Sequence, residues 1–148
     1  MKPLLLAILM ASTPYVQALT DDKIMQAIGL VESGNNPNAL GDHYTAFGKY
    51  QQHVASWHDA NTQLKAEGHR TWPLSSWRSS AAQEAIGYAY LRWLRNRFSS
   101  EGIINPTPEQ IALAWNLGFD GAKKLSFNPI NAPATSKDAA ERVGNLCK

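Results

Sequence analysis

The chain has 148 residues, of which 14 are Lys or Arg and 12 are Asp or Glu, giving a formal net charge of +2. That length suits one domain, and an apolar fraction of 44% with 18% charged residues favours a packed core over disorder. The charge bias is too small to indicate binding to nucleic acid or to an anionic membrane surface.

The N-terminal segment has the pattern of a secretory signal peptide. Lys2 precedes an apolar run over residues 3–12, and Val16-Gln17-Ala18 fits a small-x-small cleavage site. The apolar run is too short to cross a bilayer as a stable helix. We therefore expect residues 1–18 to be removed on export, which leaves residues 19–148 as a secreted or periplasmic domain.

The first half of this mature chain predicts three helices. Apolar residues at helical spacing indicate a first helix over residues 21–33, ended by a Gly-Asn-Asn-Pro run. The turn-rich segment 38–52 shows no clear strand but leaves room for a short hairpin. Helices over residues 54–67 and 81–98 follow, and Ser80 with Gln83 has the spacing of a capping box.

The second half predicts shorter helices. Thr107-Pro108-Glu109-Gln110 is a helix start with Pro at the first position, and this helix closes at Gly118. One more turn is expected at residues 120–125, and Ser136 is expected to cap a last helix that ends near Leu146. The expected fold is therefore all-α, or α-dominated, with about six helices in a single domain.

Three stretches of the sequence carry the chemistry. They are V-E-S-G-N-N-P-N-A at residues 31–39, A-F-G-K-Y-Q at 46–51 and I-A-L-A-W-N-L-G at 111–118. In this order they resemble the motifs of the soluble lytic transglycosylase domain, a bacterial family related to goose-type lysozymes. Residues 87–91 and 140–143 also look like helices of that family, so the resemblance covers nearly the whole mature chain. It implies a lysozyme-like fold and cleavage of peptidoglycan.

Glu32 is the expected catalytic residue, and its position supports this independently of the resemblance. It lies at the edge of the apolar stripe of the first helix, so it should be half buried. It also lies in the last turn, at the negative end of the helix dipole. Both effects raise the pKa of a carboxyl group. Glycoside cleavage needs an acid that stays protonated near neutral pH, as the catalytic glutamate of lysozyme does.

The resemblance also implies substrate-binding residues, some with a structural alternative in the sequence itself. Ser33 could simply be a hydroxyl at a helix end, and Trp115 a core residue. Two departures from the family pattern bear on these roles: Lys49-Tyr50 replaces two apolar residues, and Trp115 replaces a tyrosine. An indole N–H only donates, whereas a tyrosine hydroxyl also accepts. The substrate-binding candidates are Ser33, Gly48, Tyr50, Gln51, Trp115 and Asn116.

Three functions fit this set of residues. In the family's route, Glu32 protonates the oxygen between N-acetylmuramic acid and N-acetylglucosamine. The substrate's N-acetyl oxygen stabilises the cation, and Glu32 then removes the C6 hydroxyl proton to leave a 1,6-anhydro end. A lysozyme-type hydrolase would instead use Glu32 with Asp42, the nearest second carboxylate. The third alternative is a non-catalytic glycan-binding or envelope assembly module. The single prominent glutamate favours the transglycosylase.

We expect no cofactor and no metal. The histidines His43, His53, His58 and His69 lack metal-binding spacing and have no cysteine partner. Cys147 is the sole cysteine and cannot form an intrachain disulfide. The expected partner is a peptidoglycan glycan strand rather than nucleic acid, bound by a monomer. An envelope-spanning secretion or conjugation machine is a further candidate partner.

Overall fold

The computed structural model describes residues 14–148, with side chains from Thr20 onward. These residues form six α-helices and one two-stranded antiparallel sheet, in which Leu40 pairs with Phe47. The α-dominated fold expected from the sequence is confirmed. The helices are α1 (Pro14–Ser33), α2 (Val54–Ala66), α3 (Ser80–Ser100), α4 (Pro108–Leu117), α5 (Phe119–Lys124) and α6 (Ala134–Leu146), and the strands are β1 (Leu40–Gly41) and β2 (Ala46–Phe47).

Helix α3 passes through the centre of the core, and α2 packs along it while α4 packs against α6. A glycine on α3 allows a close approach: a Cβ at Gly87 would lie 2.7 Å from the Tyr50 ring and 2.9 Å from Met25 of α1. Glycine is therefore the residue that lets α1 and the segment before α2 meet on α3. The buried side chains of α3 include Ile86, Ala89, Tyr90, Leu91, Leu94 and Phe98.

The predicted start of α4 is confirmed, whereas the capping box predicted for α3 is wrong. On α4 the Thr107 side chain accepts from the Gln110 N–H, and the Gln110 side chain accepts from the Thr107 N–H. On α3 the cap is Ser79, whose Oγ accepts from the Ala82 N–H. Gln83 cannot complete a box there because it is buried and is bonded to other segments.

The predicted start of the last helix is also wrong. Helix α6 begins at Ala134 after Pro133, so Ser136 lies inside it rather than at its cap. Ser136 is buried, and its Oγ donates to Asn116 Oδ1 at 2.6 Å. The hydroxyl that looked like a capping group therefore joins α6 to the end of α4.

Two arginines of α3 make ion pairs with other helices. Arg92 donates two hydrogen bonds to Glu67 at the end of α2, each 2.7 Å long. Arg95 donates to Asp21 of α1, with a shortest distance of 2.6 Å. The side chain of Arg95 is only 18% exposed, so this face of α3 is largely covered by its partners.

Most of the predicted signal peptide, residues 1–13, lies outside the described residues. Helix α1 begins at Pro14 and runs past Ala18, where cleavage was predicted, whereas the sequence placed its start at residue 21. Among residues 14–148, no helix is both long enough and apolar enough to cross a membrane.

Candidate functional site

A small pocket of about 170 Å³ brings together residues from all three sequence motifs. It lies where the end of α1, the hairpin segment, the residue before α2 and the end of α4 converge. Most of its wall is polar. The lining residues are Glu32, Asp42, Gln51, His53, Trp115 and Asn116.

Glu32 reaches this pocket because α1 ends immediately after it. Gly34 and Asn35 both adopt positive φ, and their N–H groups bond back to Leu30 O and Gly29 O. No basic residue lies in the last turn of α1 to offset the negative end of the helix dipole. Burial, and then the negative charge of Asp42, raise the pKa of Glu32 from its usual 4.5 to about 7. The carboxyl group therefore remains largely protonated at mildly acidic pH and is about half protonated at neutral pH.

Asp42 and His53 lie at ion-pair distance on one side of the pocket. Asp42 Oδ2 lies 3.0 Å from His53 Nε2, and the two side chains are 71% and 47% exposed. Asp42, His43 and Tyr44 are three consecutive non-glycine residues at positive φ, and this left-handed turn carries Asp42 to the pocket. The sequence analysis considered His53 only as a metal ligand and missed it here. One signal in the sequence could have placed His53 at the pocket, because it follows Gln51 of the second motif by two residues.

Gln51 lines the pocket, whereas Gly48 lies against a buried side chain of α3. Gln51 lines the pocket at a positive φ of 46°, and its Nε2 donates to Gly48 O at 2.9 Å. Gly48 also has a positive φ, and a Cβ there would lie 2.5 Å from Oε1 of Gln83. The close neighbour that requires glycine is thus Gln83 in the core, rather than the substrate that the resemblance implied.

Gln83 is a second residue that the sequence analysis misplaced. It is 4% exposed, and its Oε1 accepts from the Lys49 N–H at 2.8 Å. Its Nε2 donates to Pro37 O at 2.8 Å and to Trp77 O at 2.7 Å. One buried amide therefore holds the first and second motifs in place, and burial alone distinguishes it from a surface glutamine.

Tyr50, expected to contact substrate, is buried and is not among the residues that line the pocket. Its side chain is only 2% exposed, and its hydroxyl donates to Glu84 Oε2 at 2.8 Å. Burial first, and then the hydrogen bond to Glu84, raise the pKa of Tyr50 well above its usual value. Lys49 donates to the other oxygen of Glu84 at 2.9 Å. The two residues that depart from the family pattern thus share one carboxylate on α3.

For Ser33, the observed contacts favour the structural alternative. Its Oγ donates to Lys49 O at 2.7 Å and accepts from the Asn36 N–H at 3.0 Å. These bonds join the end of α1 to the second motif. Ser33 thereby links the backbone that follows Glu32 to the backbone that precedes Gln51.

Trp115 and Asn116 close the pocket from α4. Trp115 is 8% exposed, and its indole N–H donates to Tyr50 O at 3.0 Å. This bond directs the N–H to the backbone of the second motif and away from Glu32. Asn116 is exposed, and its Oδ1 accepts from Ser136. Trp115 therefore serves both the core and the pocket wall, while Asn116 presents a polar group at the opening.

The pocket holds three potential metal ligands, Glu32, Asp42 and His53. Across residues 14–148, however, no three His, Cys, Asp or Glu side chains are placed to hold a metal ion together. The described pocket offers a half-buried carboxyl group for acid–base chemistry, beside an amide donor and an exposed asparagine. Comparison of the chain with protein-family models, curated proteins and solved structures gave no match.

Proposed function

We propose that this chain is a peptidoglycan lytic transglycosylase in which Glu32 is the general acid and base. The observation that carries the proposal is the state of Glu32, a half-buried carboxyl with a pKa of about 7 in a pocket formed by all three motifs. A carboxyl group with this pKa can donate its proton and take one back near neutral pH, as a two-step reaction on one residue requires. Cleavage should leave 1,6-anhydro ends on the muramic acid product.

The surrounding groups fit a sugar substrate. Gln51 and Asn116 supply amide groups to the pocket, and an amide can donate to and accept from sugar hydroxyls and N-acetyl groups. In the proposed reaction, Glu32 gives its proton to the glycosidic oxygen as the bond breaks. The substrate's own N-acetyl oxygen bonds to the cationic carbon. The C6 oxygen then displaces the acetyl oxygen from that carbon and closes the anhydro ring, while Glu32 accepts the C6 hydroxyl proton. No second carboxylate takes part in these steps.

A lysozyme-type hydrolase is the second candidate, because Asp42 lines the same pocket. In that reaction Asp42 would act as the nucleophile or activate a water molecule. Its carboxylate is 71% exposed and lies 3.0 Å from His53 Nε2, which favours an electrostatic role over that of a nucleophile. We therefore retain the transglycosylase as the conclusion.

We further propose that the protein acts outside the cytoplasm after cleavage behind Ala18. Its substrate would be the glycan strand of the cell wall, and an envelope-spanning secretion or conjugation machine would be a suitable setting for it. Both proposals rest on the sequence pattern of residues 1–18 and on the resemblance carried by the motifs.

Purified sacculi provide the test. Mass spectrometry of the released muropeptides should find 1,6-anhydro ends with the wild type and with Asp42→Asn. With Glu32→Gln, release should fall at least about 100-fold, the lower bound of general-acid catalysis. Glu141→Gln is a matched control, because its side chain on α6 is 55% exposed.

The other outcomes point to the alternatives. Reducing ends, together with equal losses in Asp42→Asn and Glu32→Gln, would identify a hydrolase. Equal release by wild type and Glu32→Gln would refute the assignment of Glu32. Binding of sacculi without any release by the wild type would identify a glycan-binding module.

A further inference from the structure

The ion-pair contact between Asp42 and His53 has no direct part in the proposed reaction, although both residues line the Glu32 pocket. Asp42 is carried there by a left-handed turn, which non-glycine residues adopt only at an energetic cost. Its side chain is largely exposed, so burial does little to fix it. The 3.0 Å contact with His53 is the interaction that holds the carboxylate at this position.

We propose that His53 is a positioning residue that acts on Glu32 through Asp42. It holds the Asp42 carboxylate at the pocket, and its protonated form neutralises the Asp42 charge. The catalytic importance of this role rests on the proposed function, in which Glu32 must give up a proton and take one back.

The physical reasoning follows from the charges. A carboxylate near Glu32 makes a second negative charge there less favourable, so Asp42 helps Glu32 to keep its proton. When His53 is protonated, the pair is neutral overall and this help is reduced. When His53 loses its proton, the full negative charge of Asp42 acts on Glu32. Histidine is the side chain that ordinarily changes charge near neutral pH, so the help increases as the solution becomes more alkaline.

The other groups facing the pocket do not replace this pair. Helix α4 contributes only the neutral Trp115 and Asn116, and the neighbouring part of α6 contributes Ser136. On α2, the nearest titratable groups along the chain after His53 are His58 and Asp59, which face each other at 3.8 Å. Lys49 directs its amine to Glu84. Among the described lining residues, Glu32, Asp42 and His53 are therefore the coupled titratable set.

The coupling predicts a broadened titration of Glu32. A proton on His53 and a proton on Glu32 disfavour each other, because a positive charge on His53 offsets the Asp42 charge that helps Glu32 to keep its proton. Two sites coupled in this way titrate over a wider range than one isolated site. Glu32 would thus remain partly protonated and partly ionised across a wide pH range, which suits a group that must act both as acid and as base.

The test is a titration of Glu32 by carbon NMR of labelled glutamate carboxyls, with the Glu32 signal identified by its absence in Glu32→Gln. In His53→Gln, the amide can still donate to Asp42 but carries no charge. The midpoint of Glu32 should rise by about 0.2–0.7 pH unit, the range set by exposed charge pairs, and the curve should narrow. His58→Gln is the matched control, since its side chain is 80% exposed and has a different partner. It should leave the titration unchanged.

A second comparison tests whether His53 acts through Asp42. In the Asp42→Asn background, adding His53→Gln should change the Glu32 midpoint by less than half of its effect in the wild type. An equal effect in both backgrounds, or an unchanged midpoint in His53→Gln, would overturn the proposal.

The titration is independent of activity, so the two proposals fail separately. A shifted midpoint in a protein that releases no muropeptides would support the coupling and refute the proposed function. An unshifted midpoint in an active enzyme would refute the coupling alone. In an active enzyme, the alkaline limb of muropeptide release should move upward in His53→Gln together with the NMR midpoint.

Discussion

The raised pKa of Glu32 makes a prediction about folding that needs no substrate. In the unfolded chain a glutamate loses its proton near its usual pKa of 4.5, whereas in the folded protein Glu32 keeps it until about 7. Between these values the folded state binds more protons than the unfolded state. The free energy of unfolding therefore decreases as the pH rises through this window.

The size of the effect follows from the two pKa values. The gap between 4.5 and about 7 corresponds to about 3 kcal/mol, at about 1.4 kcal/mol per pKa unit. Glu32→Gln keeps the size of the side chain but removes the titration. The variant should match the wild type at pH 4, apart from a constant offset. It should gain up to about 3 kcal/mol on the wild type by pH 8.

Urea unfolding of both proteins at a series of pH values measures this difference directly. Glu141→Gln controls for the loss of one carboxylate on the surface and should follow the wild type, because Glu141 is largely exposed. If the difference between wild type and Glu32→Gln stays constant from pH 4 to pH 8, the reasoning about burial and Asp42 is refuted.

Three further predictions concern other parts of the chain. Gln83→Leu should lower the free energy of unfolding, measured in urea, by at least about 2 kcal/mol, because it leaves a backbone N–H and two carbonyl groups without partners. An unchanged free energy of unfolding would contradict the role of this amide. Gly87→Ala should cost about 1–3 kcal/mol in thermal unfolding through its clash with Tyr50, and an unchanged melting temperature would argue against the close approach. N-terminal sequencing of exported protein should begin at Leu19, and a retained segment before Ala18 would contradict the predicted cleavage.

The helices were predictable because their signals are local. The end of α1 follows from its Gly-Asn-Asn-Pro run, and the start of α4 from Thr107 and Gln110, which are neighbours on one turn. The pKa of Glu32 was also predictable in direction, since amphipathic spacing and helix position are both read from the sequence. The contribution of Asp42 was not predictable in this way, because it depends on where the hairpin turns.

What the sequence could not reveal depends on contacts between distant residues. Gln83 reaches Pro37 across 46 residues, and Ser136 reaches Asn116 across 20. In both cases a polar side chain that was predicted to cap its own helix instead forms hydrogen bonds with another segment. For Tyr50 the expectation came from its motif, which resembles a substrate-binding one, but its side chain is buried in the core.

The left-handed turn at residues 42–44 predicts which substitutions should be enriched when variants of this site are selected. Non-glycine residues in this conformation cost about 1–2 kcal/mol each, more than the roughly 0.5–1 kcal/mol by which glycine's flexibility destabilises a fold. A library of variants sorted only for thermal resistance should therefore accumulate glycine at His43, against the trend at most positions. In a library sorted for cell-wall cleavage, His43→Gly should be retained only if the more flexible turn still places Asp42 at the pocket. The contrast between the two enrichments would measure how much of this turn is maintained by selection for activity.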